Sequence, residues 1–174
     1  MMFRRLSMVL FAALLSVGST AYAGQDAFTL GPVFEEFGPV APVNVTWEIP
    51  NGTVLKHSFD TSDKAADGEV NRTLRSAARF VNMHVRAGVL FEDINVAVII
   101  HGGAVHDVAK GEDNTTAPLV ETLVRKGVQI IVCGQSAAYY DVATEDLLPG
   151  VDMALSAMTA HAVLQNEGYT VNPF

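Results

Sequence analysis

Residues 94–101 read Ile-Asn-Val-Ala-Val-Ile-Ile-His, a run so nearly apolar that it suits a strand covered on both faces. Strands of that kind sit inside parallel sheets, where crossover helices supply the second cover. The chain around it repeats the theme. Residues 54–60 alternate as a strand, with Leu55, His57 and Phe59 on one side. Residues 128–133, 151–155 and 169–172 are three more strand candidates. Helical patterns separate them. Val70, Leu74, Ala77, Val81 and Val85 share a face across residues 69–87, which Gly88 closes. Arg72, Arg75, Arg79 and Arg86 share another face, expected to be solvated. A helix over 116–126 has Asn114 or Thr115 to cap it and Pro118 in its first turn. A short helical piece is expected over 137–142, and a further helix over 156–167. The predicted fold is α/β: a doubly wound, mainly parallel sheet of about five strands with helices on both faces.

The N-terminus reads as an export signal. Arg4 and Arg5 precede an apolar stretch, residues 6–17, interrupted only by Ser7 and Ser16. Ala21-Tyr22-Ala23 then offers a small-residue cleavage site, making Gly24 the expected first mature residue. The stretch is too short for a stop-transfer helix, and no later segment reaches roughly 18 uninterrupted apolar residues. Residues 1–23 are thus expected to be a signal peptide, and the mature protein to be periplasmic or secreted, without membrane insertion. Residues 24–52, broken by Gly31-Pro32, Gly38-Pro39, Pro42, Pro50 and Asn51-Gly52, cannot form a long helix. Phe28, Phe34, Phe37 and Trp47 make that segment too apolar for a free tail. It is expected to be an arm docked on the body or on a neighbouring subunit. Residues 53–174 form the α/β domain.

Charge narrows the partners. The chain carries 11 basic and 19 acidic residues, a net charge of −8, and loss of the leader removes two arginines and no acid. A mature charge of −10 argues against nucleic acid and anionic membrane surfaces. A single cysteine, Cys133, excludes a disulfide framework.

The same cysteine is the most pointed chemical feature. It ends an apolar strand and is followed by Gly134-Gln135-Ser136-Ala137-Ala138. A thiol at a strand's carboxyl end sits where ligands bind in open parallel sheets, and the first amides of a following helix favour its thiolate. Two other strands end in polar residues, Asp60 and His101. Nucleophile, imidazole and orienting carboxylate are the set that activates a thiol, though spacing alone leaves open whether they meet. Gly134, Gln135 and Ser136 are candidate anion-binding amides, as are Gly102 and Gly103 beyond the neighbouring strand. His57 is expected to pack in the core, and His84 and His106 to be exposed. No spacing supports a metal site: His101 and His106 are five apart without a second cluster. Gly102-Gly103 lacks the rest of a dinucleotide fingerprint, so no cofactor is expected.

From His101-Gly102-Gly103-Ala104-Val105 onward the chain resembles the DsrE/DsrF-like family of sulfur-relay proteins. The segment 127–138 is similar to that family's strand-plus-cysteine element. Leu147-Leu148-Pro149-Gly150-Val151, Ser156-Ala157-Met158 and residues 164–169 resemble the closing strand–helix–strand of its exported members. The resemblance spans about residues 53–174. It implies a flavodoxin-like sheet, homo- or hetero-oligomers, and a cysteine carrying sulfane sulfur as a persulfide, which maps onto Cys133. The export signal sets this chain apart from the cytoplasmic sulfur-relay members and their partners. The leading expectation is a sulfur carrier or sulfurtransferase in which Cys133 exchanges sulfur with a thiol or sulfane-sulfur donor and acceptor. His101 and Asp60 would assist it. One alternative is a non-catalytic oligomeric binding module with an inert, buried cysteine. Another is a small serine esterase with Ser136 as nucleophile, since Asp152 and His161 follow in hydrolase order.

Overall fold

The computed structural model describes residues 24–172; the expected signal peptide, residues 1–23, lies outside them. Five strands form one parallel sheet: β1 (Leu55–Thr61), β2 (Ile94–Ile100), β3 (Gln129–Cys133), β4 (Val151–Ala154) and β5 (Thr170–Val171), in the order β4-β3-β2-β1-β5. The apolar run of residues 94–101 is the central strand, and Val98, Ile99 and Ile100 are completely buried in it. Helices α1 (Arg72–Arg86), α2 (Ala117–Arg125), α3 (Gly134–Tyr139) and α4 (Ala157–Asn166) alternate with the strands. This is a flavodoxin-like arrangement, as the alternation predicts.

The two faces of the sheet are unequal. Phe59 of β1, Val96, Val98 and Ile100 of β2, and Ile130 and Val132 of β3 join Leu74, Ala78 and Val81 of α1 and Leu119 and Leu123 of α2 in the large core. Ala97 and Ile99 of β2 face the other way and meet Ala160 and Leu164 of α4 with Tyr169 in a small second cluster. Because side chains alternate along a strand, Ser58 and Asp60, His101 and Cys133 belong to this second face. It is the less fully packed one, and it holds the site described below.

Two helix starts differ from expectation by three residues. Helix α1 begins at Arg72, not at residue 69, because the Asn71 side chain accepts from the amides of Thr73 and Leu74 and caps it. Helix α3 begins at Gly134, directly after the strand, where residues 137–142 were expected. Gly134 permits this: a Cβ there would lie 2.7 Å from the Ala154 carbonyl oxygen of β4. On α4 the Ser156 hydroxyl accepts from the Thr159 amide at 3.1 Å. Replacing Ser156 by Ala should cost about 1 kcal/mol of stability, the usual worth of such a cap. A melt unchanged in Ser156→Ala would show the cap to be idle.

The segment 24–52 docks on its own domain through α1. Phe34 is fully buried in the large core, and Phe37 packs against it. Asn82, buried in mid-helix, accepts from the amides of Val33 and Phe34 and donates to the carbonyls of Phe34, Phe37 and Gly38. Gly38, at φ +65°, lies so close to α1 that a Cβ would run into the backbone of Ala78 and Arg79. Phe28 and Trp47 remain exposed. The arginine face is not wholly solvated either. Arg86 donates to Thr29 Oγ1 and to the carbonyls of Val40, Leu30 and Gly31, so one of the four arginines straps the arm. Extended arm backbone has no sheet partner for most of these carbonyls, and the guanidinium supplies the donors.

Candidate functional site

The carboxyl ends of β1, β2 and β3 lie side by side because these strands are neighbours in the sheet. Their second-face residues open into one cavity of about 590 Å³. Asp60, His101 and Cys133 line it, together with Gln135, Ser136, Ser156, Met158 and His161. Of the described residues, Gly134, Gly102 and Gly103 stand back from this lining. Gly134 serves the close approach to β4, and the Gly102 amide is directed at Ser136.

Cys133 is only 6% exposed, yet its sulfur borders the cavity rather than the apolar core. Burial pushes its thiol pKa up. Hydrogen bonds from the Ser136 hydroxyl, from the Ser136 and Gln135 amides of α3 and from the Ala157 amide of α4 outweigh that and hold it below the ordinary value. The amides come from the first turns of two helices, whose positive ends favour an anion. The sequence pointed to the first of these helices. Ala157 is the contribution it missed, since nothing local links residue 157 to residue 133.

The direction of the Ser136 hydroxyl follows from its other contact. Gly102 N–H donates to Ser136 Oγ at 3.0 Å. An oxygen that already accepts there is free to give its own proton to the sulfur. The loop after β2 therefore orients the hydroxyl toward a thiolate.

Asp60 joins two imidazoles. His101 Nε2 lies 3.0 Å from Asp60 Oδ1, and His161 Nε2 lies 2.7 Å from Asp60 Oδ2. Burial raises the Asp60 pKa, but the hydrogen bonds from His161 and His101 bring it below the usual aspartate value. An ionised carboxylate only accepts, so both Nε2 atoms carry the protons. No hydrogen bond joins His101 to Cys133, although the two line the same cavity.

The serine-esterase alternative fares differently. It requires His161 between Ser136 and Asp152, whereas His161 is bonded to Asp60 and Asp152 is exposed on β4. Asp152 pairs in register with Ile131 on the edge strand, one two-residue period back from Cys133 and Ala154 at the carboxyl ends, and is exposed there. Ser136 instead holds the backbone of the neighbouring loop and the sulfur. Elsewhere, His57 is half-buried rather than fully packed: it stacks on Phe80 and meets Thr170 Oγ1 at 2.8 Å. His84 was expected to be exposed but is half-buried, with Nδ1 2.7 Å from the Phe80 carbonyl oxygen. His106 is exposed. Among the described residues no group of three His, Cys, Asp or Glu side chains is arranged to hold a metal ion. Among them, too, no helix is long and apolar enough to cross a membrane.

The sequence pattern of the DsrE/DsrF-like family matches residues 59–173, which include every residue lining the cavity and none of the arm. The chain belongs to the DsrE/DsrF-like family. That membership suggests a role related to sulfur relay. Among solved structures, a protein of unknown function from Methanobacterium thermoautotrophicum is similar at 21% identity. The match covers 67% of this chain and 94% of that one, with a TM-score of 0.47. No curated protein matches. For this DsrE/DsrF-like chain the match runs from the last residues of β1 through β5, so the cysteine, both histidines and Asp60 fall within the shared domain and the arm does not.

Proposed function

We propose that this protein is an exported sulfur carrier, or sulfurtransferase-like protein, that holds sulfane sulfur on Cys133 as a persulfide. The observation that carries the reading is the convergence of a hydroxyl and three amides on one sulfur at the floor of an open cavity. Those groups favour the thiolate, the form that attacks sulfur.

The chemistry balances without a cofactor. The Cys133 thiolate attacks the outer sulfur of a donor R–S–SH; a new S–S bond forms, the donor's S–S bond breaks, and R–S⁻ departs. His101, its tautomer set by Asp60, takes the thiol proton through cavity water and returns it to the departing thiolate. Discharge is the same exchange reversed onto an acceptor thiol. Cys133 has no second cysteine in the chain to resolve it, so the persulfide waits for that acceptor. Met158 lines the cavity and is 78% exposed, which gives an incoming donor or acceptor an apolar rim to meet. Homo-oligomers belong to this proposal, as does a periplasmic or secreted location with a mature chain starting at Gly24.

Alkylation of Cys133 across pH 5–9 tests it. The rate should reach half its plateau below the ordinary thiol value of about 8.5, because the depressed pKa ionises the sulfur at lower pH. Ser136→Ala removes the hydroxyl donor and should move that midpoint upward, by about one unit if the bond is worth about 1.4 kcal/mol. A wild-type midpoint at the ordinary value, or slow labelling throughout, would reject the carrier in favour of the binding module with an inert cysteine.

A further inference from the structure

We infer that His161 is a positioning residue of this site, acting on His101 through Asp60; the inference rests on the sulfur-carrier reading. The three side chains come from three separate elements: Asp60 from β1, His101 from the end of β2 and His161 from α4. Each imidazole engages its own carboxylate oxygen, at 3.0 Å for His101 and 2.7 Å for His161. The second contact is the shorter. With both oxygens held, the carboxylate cannot turn about its own axis, and one oxygen is presented to His101 in a single direction.

The two rings differ in what remains free. His161 Nδ1 is buried and has no hydrogen-bond partner among the described residues. A lone pair at that atom tolerates such a place, whereas an N–H there would be a buried donor without an acceptor. His161 is therefore held with its Nε2–H toward Asp60 and its other ring nitrogen turned away from solvent. His101 is the more exposed ring, at 32% of its side chain against 21%, and lines the cavity with Cys133. One ring thus moves protons and the other holds the carboxylate that orients it.

The groups that bear on this arrangement are few. Within the cavity, the titratable residues are Asp60 of β1, His101 after β2, Cys133 of β3 and His161 of α4; α3 and β5 add none. A second groove that Asp60 also borders brings Asp63, Lys64, Glu69, Arg72 and Arg75 from the loop after β1 and from α1.

Three variants separate positioning from bulk. His161→Gln places an amide N–H near the Nε2 position and keeps the donor. His161→Asn is too short to reach Asp60, and His161→Leu has no donor. Sulfur loading of the full-length mature protein from inorganic polysulfide is followed by intact mass at pH 7 and again at pH 9.5, with thermal melts for each variant. Loading should slow about tenfold at pH 7 in the Asn and Leu variants, a fraction of the ~10²–10⁴ that a well-placed proton-transfer group contributes. His161→Gln should stay within about threefold of wild type, the remainder of the same effect. The deficit should vanish at pH 9.5, where the thiol is already ionised and needs no base. A structural role alone would slow loading equally at both pH values, and either that result or wild-type loading in the Asn variant overturns the inference. Cys133→Ser runs alongside: if it still loads, the carrier reading has failed, whereas if it does not load and His161→Asn loads normally, only the positioning role has failed.

Discussion

Cys133→Ser abolishes uptake of sulfur from polysulfide, read by intact mass as loss of the adduct of about 32 Da that a single added sulfur produces. The expected effect is complete, because Cys133 is the chain's only thiol and a serine hydroxyl is not ionised at neutral pH. The fold should be retained. Oxygen is smaller than sulfur but occupies the same branch of the side chain, and the Ser136 hydroxyl and the Gln135, Ser136 and Ala157 amides can still donate to it. A melting temperature within a few degrees of wild type is the matching control. Persistence of the adduct in the serine variant would place sulfur elsewhere and remove the carrier mechanism. Loss of the adduct together with loss of the fold would instead make Cys133 a packing residue.

Asn82→Ala is the substitution expected to destabilise the protein most. The side chain makes five hydrogen bonds to arm backbone, and Asn82, Phe34 and Gly38 are buried. Removing it strands those amides and carbonyls without a partner while leaving a gap the size of a carboxamide. Each stranded buried group costs ~1–3 kcal/mol, and some regain water as the arm loosens, so a net loss of about 3–4 kcal/mol is expected. For a domain of this size that corresponds to a fall in Tm of about 10 °C. Protease cleavage between residues 24 and 52 should accelerate in parallel, since Phe34 leaves the core when its backbone is released. A loss below about 1 kcal/mol would show that apolar contact through Phe34 and Phe37, rather than the carboxamide, holds the arm.

Much of the architecture was legible from local pattern. The continuous apolar run at 94–101 identified the central strand, because only a strand buried on both faces tolerates it. Alternation at Leu55, His57 and Phe59 placed Ser58 and Asp60 on the opposite face, and the strand ends at His101 and Cys133 were visible as interruptions of apolar runs. The start of α3 was misjudged because small residues such as Gly134 carry weak helical signal; its place depends on how near β4 comes. The start of α1 was misjudged because Val70 continues the apolar period by coincidence, while Asn71 begins the helix by capping its first turn.

The sequence by itself determined the strands and their spacing by helices, because those follow from the two-residue and 3.6-residue periods of neighbouring side chains. Only the tertiary structure decided that His161 shares Asp60 with His101, that the Ala157 amide reaches Cys133, and that Asn82 and Arg86 hold the arm. Each of these pairs partners far apart in the chain, and their meeting depends on the rotation and depth at which a helix docks on the sheet. That docking minimises the free energy of the whole packed core, so no local period encodes it.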